Sequence, residues 1–205
     1  MVLKLFGATG RAGGTVLVAT VLAEKKIPYE FVAVDMRNKE HKSEAHMEKQ
    51  PFGQVPYIDD ILYESRAICR YLIEKYPEKG TQGLLPPADD VYAKALFEQA
   101  ASVEYANFHA HATWVIFIHG VINPAFGMPV NASALEAAKT SLDATLGVYE
   151  NILAKQKYLV GDTITLGGVD GLTSKGPNVK RWWEEISNRP SYLQWLERLE
   201  SLQSK

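Results

Sequence analysis

Cysteine is nearly absent from this chain: Cys69 is the only one in 205 residues. A single thiol excludes an intramolecular disulfide and suits a reducing compartment. An excess of charge of either sign is also missing. Lys and Arg number 22, Asp and Glu 24, for a net charge of -2. That balance gives no electrostatic reason to expect a nucleic acid or an anionic membrane as partner. No apolar run approaches the ~18–20 residues that a membrane span needs. No basic stretch precedes a long apolar segment at the N-terminus, so no secretory signal is expected and a cytoplasmic protein is the default. Metal-ligand spacing is lacking too. His109 and His111 are two apart, which turns them to different sides of a helix, and neither has His, Asp or Glu four residues on. No G-x-S-x-G elbow is present for a serine hydrolase.

What is present divides into two parts. Residues 2–6 read as a buried strand, followed by the glycine-rich loop GATGRAGG at 7–14. Residues 15–26 read as a helix with Val16, Ala19, Val21 and Leu22 on an apolar surface, ended by Ile27-Pro28. A second strand at 29–34 ends at Asp35, so the unit is β-α-β with parallel strands. Residues 39–49 are polar with a weak helical pattern. Residues 77–90 are rich in Pro, Gly and acids and read as a linker. The rest is helical, with Leu135, Ala138, Leu142, Leu146, Tyr149 and Leu153 at 3.6-residue spacing behind a capping box of Ser133 and Glu136. Two closing helices are expected at 178–186 and 191–202. The fold class is therefore α+β. A thioredoxin-like βαβ-ββα domain at 1–78 and a linker at 79–90 precede an all-α domain at 91–205.

The most informative stretch is QPFGQVPYIDDILYESRAICRYLIEKY at 50–76. It reads as a turn, a short strand at 55–58, a two-acid turn (Asp59-Asp60), a second strand at 61–63 and an amphipathic helix opening at Ser65. Glu64 and Ser65 stand at the strand-to-helix joint. Backbone N–H groups at a helix start are unpaired and partly positive, so a carboxylate ligand is expected there. Pro56 cannot donate a ladder hydrogen bond. A cis bond before it turns the backbone of Val55 outward, toward an extended ligand.

This stretch resembles the cytosolic glutathione transferases, most closely the phi-like enzymes and their fungal relatives. QPFGQVPYID and ILYESRAICRYL carry the resemblance, with NPAFGMP, LDATLGVYENILAKQKYLVGD and NVKRWWEEISNRPSY. It implies glutathione lying extended along the first domain, as co-substrate rather than bound cofactor. By the resemblance Val55, beside Pro56, pairs with the cysteinyl backbone. Glu64 takes the γ-glutamyl ammonium and Ser65 its carboxylate. Lys42, or less favourably His41, and Gln54 hold the glycyl end. A small hydrophobic electrophile is the second substrate, with Phe108 and Trp114 as pocket candidates, and the chain is a homodimer.

Two segments depart from that pattern. The family's catalytic serine falls on Arg11 or Ala12, and the loop holds no serine, cysteine or tyrosine. Arg11 and Thr9 are the remaining candidates for stabilising a thiolate, and Thr15 is the other nearby hydroxyl. A glutathione- or ligand-binding protein with little activity is therefore an alternative. Near the C-terminus, Leu166-Gly167-Gly168 replaces the usual capped start of a buried helix, and the segment before 178 is about a dozen residues shorter than the resemblance implies, which predicts reduced stability. A third reading is an atypical short-chain dehydrogenase. Gly7, Gly10 and Gly13 then admit a dinucleotide pyrophosphate and Asp35 takes a ribose hydroxyl. No further parallel strands are expected to complete such a fold.

Overall fold

The computed structural model describes residues 2–11, 13–59, 62–125, 127–162 and 176–203, with the backbone alone for 113–121, 125 and 203. Trp114, Ala12, Asp60 and the 166–175 stretch, or their side chains, lie outside the described residues. The chain forms two compact units, Met1–Leu84 with Glu185–Lys205, and Leu85–Glu184.

In the first unit, β1 (Leu3–Gly7), α1 (Gly14–Glu24) and β2 (Tyr29–Ala33) form the expected crossover. A 3₁₀ turn at Glu40–Lys42 leads into α2 (Glu44–Met47). The hairpin β3 (Tyr57–Ile58) and β4 (Leu62–Tyr63) then delivers α3 (Ser65–Lys75). The sheet order is β2-β1-β3-β4. β1 and β2 are parallel, with Leu5 opposite Phe31, whereas β3 runs antiparallel to both β1 and β4. This mixed sheet is thioredoxin-like; a doubly wound dinucleotide fold keeps its strands parallel. Leu5, Ile58, Ile68, Leu72 and Leu22 are fully buried between sheet and helices.

The C-terminal helix changes one expectation. α8 (Pro190–Gln203) groups with the first unit rather than with the helical part at 91–205. Its buried Trp195 and Leu199 explain why. α8 packs on α1, and Trp195 sets its ring edge-on to Phe31 at 5.1 Å. The half-buried Glu24 carboxylate at the end of α1 fastens the start of this segment. It accepts from Arg189 Nε and Nη2 (2.6 and 2.8 Å), from Ser191 Oγ (2.5 Å) and from the Thr81 hydroxyl. Burial pushes this carboxyl up, but these hydrogen bonds and the Arg189 charge outweigh it and hold the group at about 2.

In the second unit, α4 (Val91–Val103) starts at Asp90, whose carboxylate accepts from the Ala93 N–H at 2.8 Å. The helix continues through Glu104–Ile122 in π-type turns and ends in α5 (Asn123–Ala125). α6 (Ala132–Leu153) buries Ala138, Leu142, Leu146, Tyr149 and Leu153, as the spacing predicts. Its cap is Asn131 rather than Ser133. Asn131 Oδ1 accepts from the Ala134 N–H and also from the Ser133 hydroxyl, both at 3.0 Å, so the serine is engaged by the cap instead of serving as one. α7 (Pro177–Ser187) opens on Glu150 of α6, which accepts from the Asn178 and Val179 N–H groups at 3.1 and 2.9 Å. Those hydrogen bonds hold the Glu150 carboxyl below its ordinary range.

Candidate functional site

Three segments of the first unit meet at Gly14. A Cβ built there would lie 2.9 Å from Pro56 Cδ, 3.0 Å from Ser65 Cβ and 3.1 Å from Ser65 Oγ. Any larger residue would push α1, the Val55-Pro56 turn and α3 apart, so the glycine is required by close approach. The Val55-Pro56 bond is cis. Among the described residues the Val55 N–H and C=O take no part in backbone hydrogen bonding, which leaves both open to a ligand strand. Ser65 is the first residue of α3, and no side chain caps that helix. Glu64 before it is held at φ 70°, ψ 106°, a conformation that costs a residue with a Cβ ~1–3 kcal/mol. Such strain persists where the surroundings fix it, and here it turns the exposed Glu64 away from the hairpin at the start of the helix.

The 40–54 strip supplies the other polar groups. Lys42 Nζ donates to the Phe52 carbonyl at 2.8 Å, and its stem crosses Gly53, where a Cβ would sit 2.7 Å from Lys42 Cδ. The Gln54 N–H is tied to the buried Gln50 Oε1 at 3.1 Å, which leaves the exposed Gln54 side chain available. His41 stands beside Lys42, and its buried Nδ1 has no hydrogen-bond partner among the described residues. Burial first, then the charges of Lys42, His46 and Lys39, push the His41 imidazole below its ordinary value. The strip is fastened to the sheet by a chain that sequence reading missed. Glu40 Oε1 lies 3.2 Å from His46 Nε2, and His46 Nδ1 lies 2.5 Å from Tyr57 Oη. Tyr57 stacks on Phe6 at 4.6 Å, and burial followed by the Glu40 charge pushes its phenol up to about 12. The only signal for this chain is that three polar side chains fall in a segment and a strand that otherwise read separately.

The glycine-rich loop has a different character. Thr15 is buried under it, where its Oγ1 accepts from the Ala8 N–H at 3.2 Å. A Cβ at Gly7 would strike the Thr15 side chain at 2.5 Å, so Gly7 answers to Thr15 rather than to a phosphate. Gly13, the N-cap of α1, has φ 99°. Thr9 is exposed. The Arg11 side chain is 73% exposed and stands 3.9 Å from Glu200 on α8, a surface pair of small energetic weight. Asp35 is likewise spent locally. Its Oδ1 accepts from the Arg37 and Asn38 N–H groups at 2.9 Å and its Oδ2 from Asn38 Nδ2 at 2.6 Å. Neither the glycines nor Asp35 is arranged for a dinucleotide, which removes that alternative. In the second unit Phe108 is buried and stacks on Tyr149 at 6.1 Å, so it serves that unit's core. The Trp114 side chain is not among those described. Cys69 is fully buried, and burial pushes its thiol up.

A thioredoxin-like sheet thus brings its cis-proline turn close to the serine-led start of α3. Residues 1–74 match the family profile described as Glutathione S-transferase, N-terminal domain, and residues 105–170 match Glutathione S-transferase, C-terminal domain. Glutathione S-transferase hmp2 from Hypomyces subiculosus is 38% identical over 94% of this chain and 97% of its own. Among solved structures, glutathione transferase F2 from Populus trichocarpa superposes with a TM-score of 0.85 at 30% identity, covering 97% of this chain and 99% of that one. Glutathione S-transferase I from mais, in complex with an atrazine glutathione conjugate, gives 0.81 at 29% identity over 98% and 99%. The chain belongs to the glutathione S-transferase family.

Proposed function

We propose that this chain conjugates glutathione to small hydrophobic electrophiles, as a phi-like transferase of fungal type. The single observation that carries the reading is the close approach of Gly14 to Pro56 and Ser65. It joins the loop that would face a sulfur to the two elements that would hold the tripeptide. Val55, in front of Pro56, pairs with the cysteinyl backbone. Glu64 receives the γ-glutamyl ammonium, and Ser65 with the first N–H groups of α3 receives its carboxylate. Lys42, with His41 beside it, and Gln54 take the glycyl carboxylate. Thr9 or Arg11 of the loop stabilises the sulfur anion. A free thiol of pKa about 8.5 is mostly protonated at neutral pH, so favouring the anion is the chemical task. The thiol proton leaves to solvent, sulfur bonds the electrophilic carbon, and the leaving group departs with its electron pair. The second substrate is a small hydrophobic electrophile; Trp114 remains the pocket candidate, whereas Phe108 belongs to the core of the second unit. The aromatic conjugate held by the mais relative supports that substrate class. A cytoplasmic homodimer with a detoxifying role completes the proposal.

A second reading has its own observation in favour: the loop contains no serine, cysteine or tyrosine. It makes the chain a glutathione binder with little turnover. Retention on immobilised glutathione together with turnover of a chromogenic aryl halide supports the enzyme. Retention without turnover favours the binder, and no retention removes both. Loss of turnover in Arg11→Ala but not in Thr9→Ala assigns the thiolate to the arginine.

A further inference from the structure

The loop at 8–13 contains two glycines and no large apolar side chain, so it has little means of fixing its own shape. Its ends are held by Thr15, which accepts from the Ala8 N–H, and by the Leu17 N–H, which donates to the Gly13 carbonyl, while its middle is held from α8. The Trp195 indole Nε1 donates to the Gly10 carbonyl at 2.9 Å. The Tyr192 hydroxyl donates to the Arg11 carbonyl at 3.4 Å. Trp195 is 2% exposed and braced edge-on by Phe31 of β2, next to β1 from which the loop departs. The start of α8 is in turn fastened to α1 through Glu24, Arg189 and Ser191. The indole is therefore held between sheet and helix, with its one donor aimed at the loop.

We propose that Trp195 is a positioning residue for the transferase reaction, fixing the backbone at Gly10 and Arg11 so that the polar groups there keep a set direction toward the glutathione sulfur. The proposal rests on the transferase reading above. Dipoles stabilise a developing or standing anion best when they are already oriented and need not reorganise. A loop that has lost the serine and keeps only Thr9 and Arg11 depends on that orientation more. Glutathione affinity, carried by Val55, Glu64 and Ser65, is left largely untouched.

Trp195→Phe keeps an aromatic ring against Phe31 and removes the N–H. Losing one hydrogen bond of this kind is expected to lower kcat about fivefold to tenfold. KM for glutathione stays within about twofold, because the groups that bind the tripeptide are elsewhere. The rising limb of kcat/KM against pH moves to higher pH. Trypsin cleavage after the exposed Arg11, followed by mass spectrometry of the released N-terminal peptide, speeds up. Leu199→Ala, on the same buried face of α8, lowers Tm without moving the pH limb. If Trp195→Phe fails to fold, Tyr192→Phe removes the second anchor and is expected to shift both readouts the same way by less. An unchanged pH limb together with an unchanged cleavage rate overturns the proposal while the transferase reading stands. A wild-type chain that neither binds nor turns over glutathione overturns the transferase reading instead, and the cleavage rate then still decides whether α8 fixes the loop.

Discussion

The two segments that meet at Gly14 reach their shape by opposite means. The hairpin and helix of 50–76 are built from near neighbours: Gln50 ties Gln54, Tyr57 pairs with Tyr63, and Glu64 leads directly into Ser65. The loop at 7–14 carries little in its own side chains, and its Gly10 carbonyl is held by an indole 185 positions further along the chain. On the proposed function, the first segment binds the tripeptide, and the second acts on a sulfur only as well as α8 holds it. Binding and activation are thus separable here, and several substitutions pull them apart.

The largest effect is expected at Glu24. Removing the shared carboxylate of this half-buried pair loses several hydrogen bonds to a charged group, each worth ~1.5–3 kcal/mol, so Glu24→Ala lowers the denaturant midpoint strongly. It also frees the start of α8, so the surviving folded protein loses kcat before it loses glutathione affinity. The pH dependence has a definite sign. Glu24 sits at about 2 in the folded chain against 4.5 ordinarily, so its contribution is complete above about 4.5 and is lost as pH falls toward 2. The Tm gap between wild type and Glu24→Gln should therefore narrow through that window; a constant gap would mean the carboxylate is not held as described. Next comes Ser65→Ala. Loss of a charge-assisted hydrogen bond of ~1.5–3 kcal/mol should weaken glutathione binding about tenfold to a hundredfold by calorimetry, with Tm nearly unchanged. Gly14→Ala should cost ~1–3 kcal/mol of stability through overpacking, and weaken binding as well, because its Cβ meets both Pro56 and Ser65. A Gly14→Ala protein with wild-type Tm and affinity would deny that the three segments converge. The smallest effect is at Cys69. Fully buried, with its thiol pushed up by burial, it should react with a thiol reagent only at the unfolding rate, whether or not glutathione is present.

The same contrast separates what was legible in the sequence from what was not. The βαβ-ββα order, the α6 stripe from Ala138 to Leu153 and the 50–76 stretch all rest on short-range patterns: a period of 3.6, an X-Pro turn, an acid-serine pair before an apolar run. Those patterns act over a few residues, and a sequence displays them directly. The assignment of α8 to the first unit rests on contacts between Trp195 or Arg189 and residues far earlier in the chain. The sequence reads 191–202 as a closing helix but names no partner for Trp195. Asn131 displaced Ser133 as a cap because both are good caps two residues apart, and only the backbone path chooses between them. The Glu40–His46–Tyr57 chain was hidden for the same reason, since Tyr57 reads as a plain strand residue until β3 is seen beside α2.

The most direct test of the division between binding and activation is an ultraviolet titration of the thiolate of glutathione bound to the wild-type protein, repeated on Ser65→Ala and Trp195→Phe. The account predicts that bound glutathione titrates below the ordinary thiol value of about 8.5 in wild type. In Trp195→Phe it moves back toward that value at unchanged affinity, and Ser65→Ala loses affinity while the residual bound thiol keeps its lowered value. A bound thiol that titrates at its ordinary value in the wild-type protein, or one that shifts equally in both variants, would contradict it.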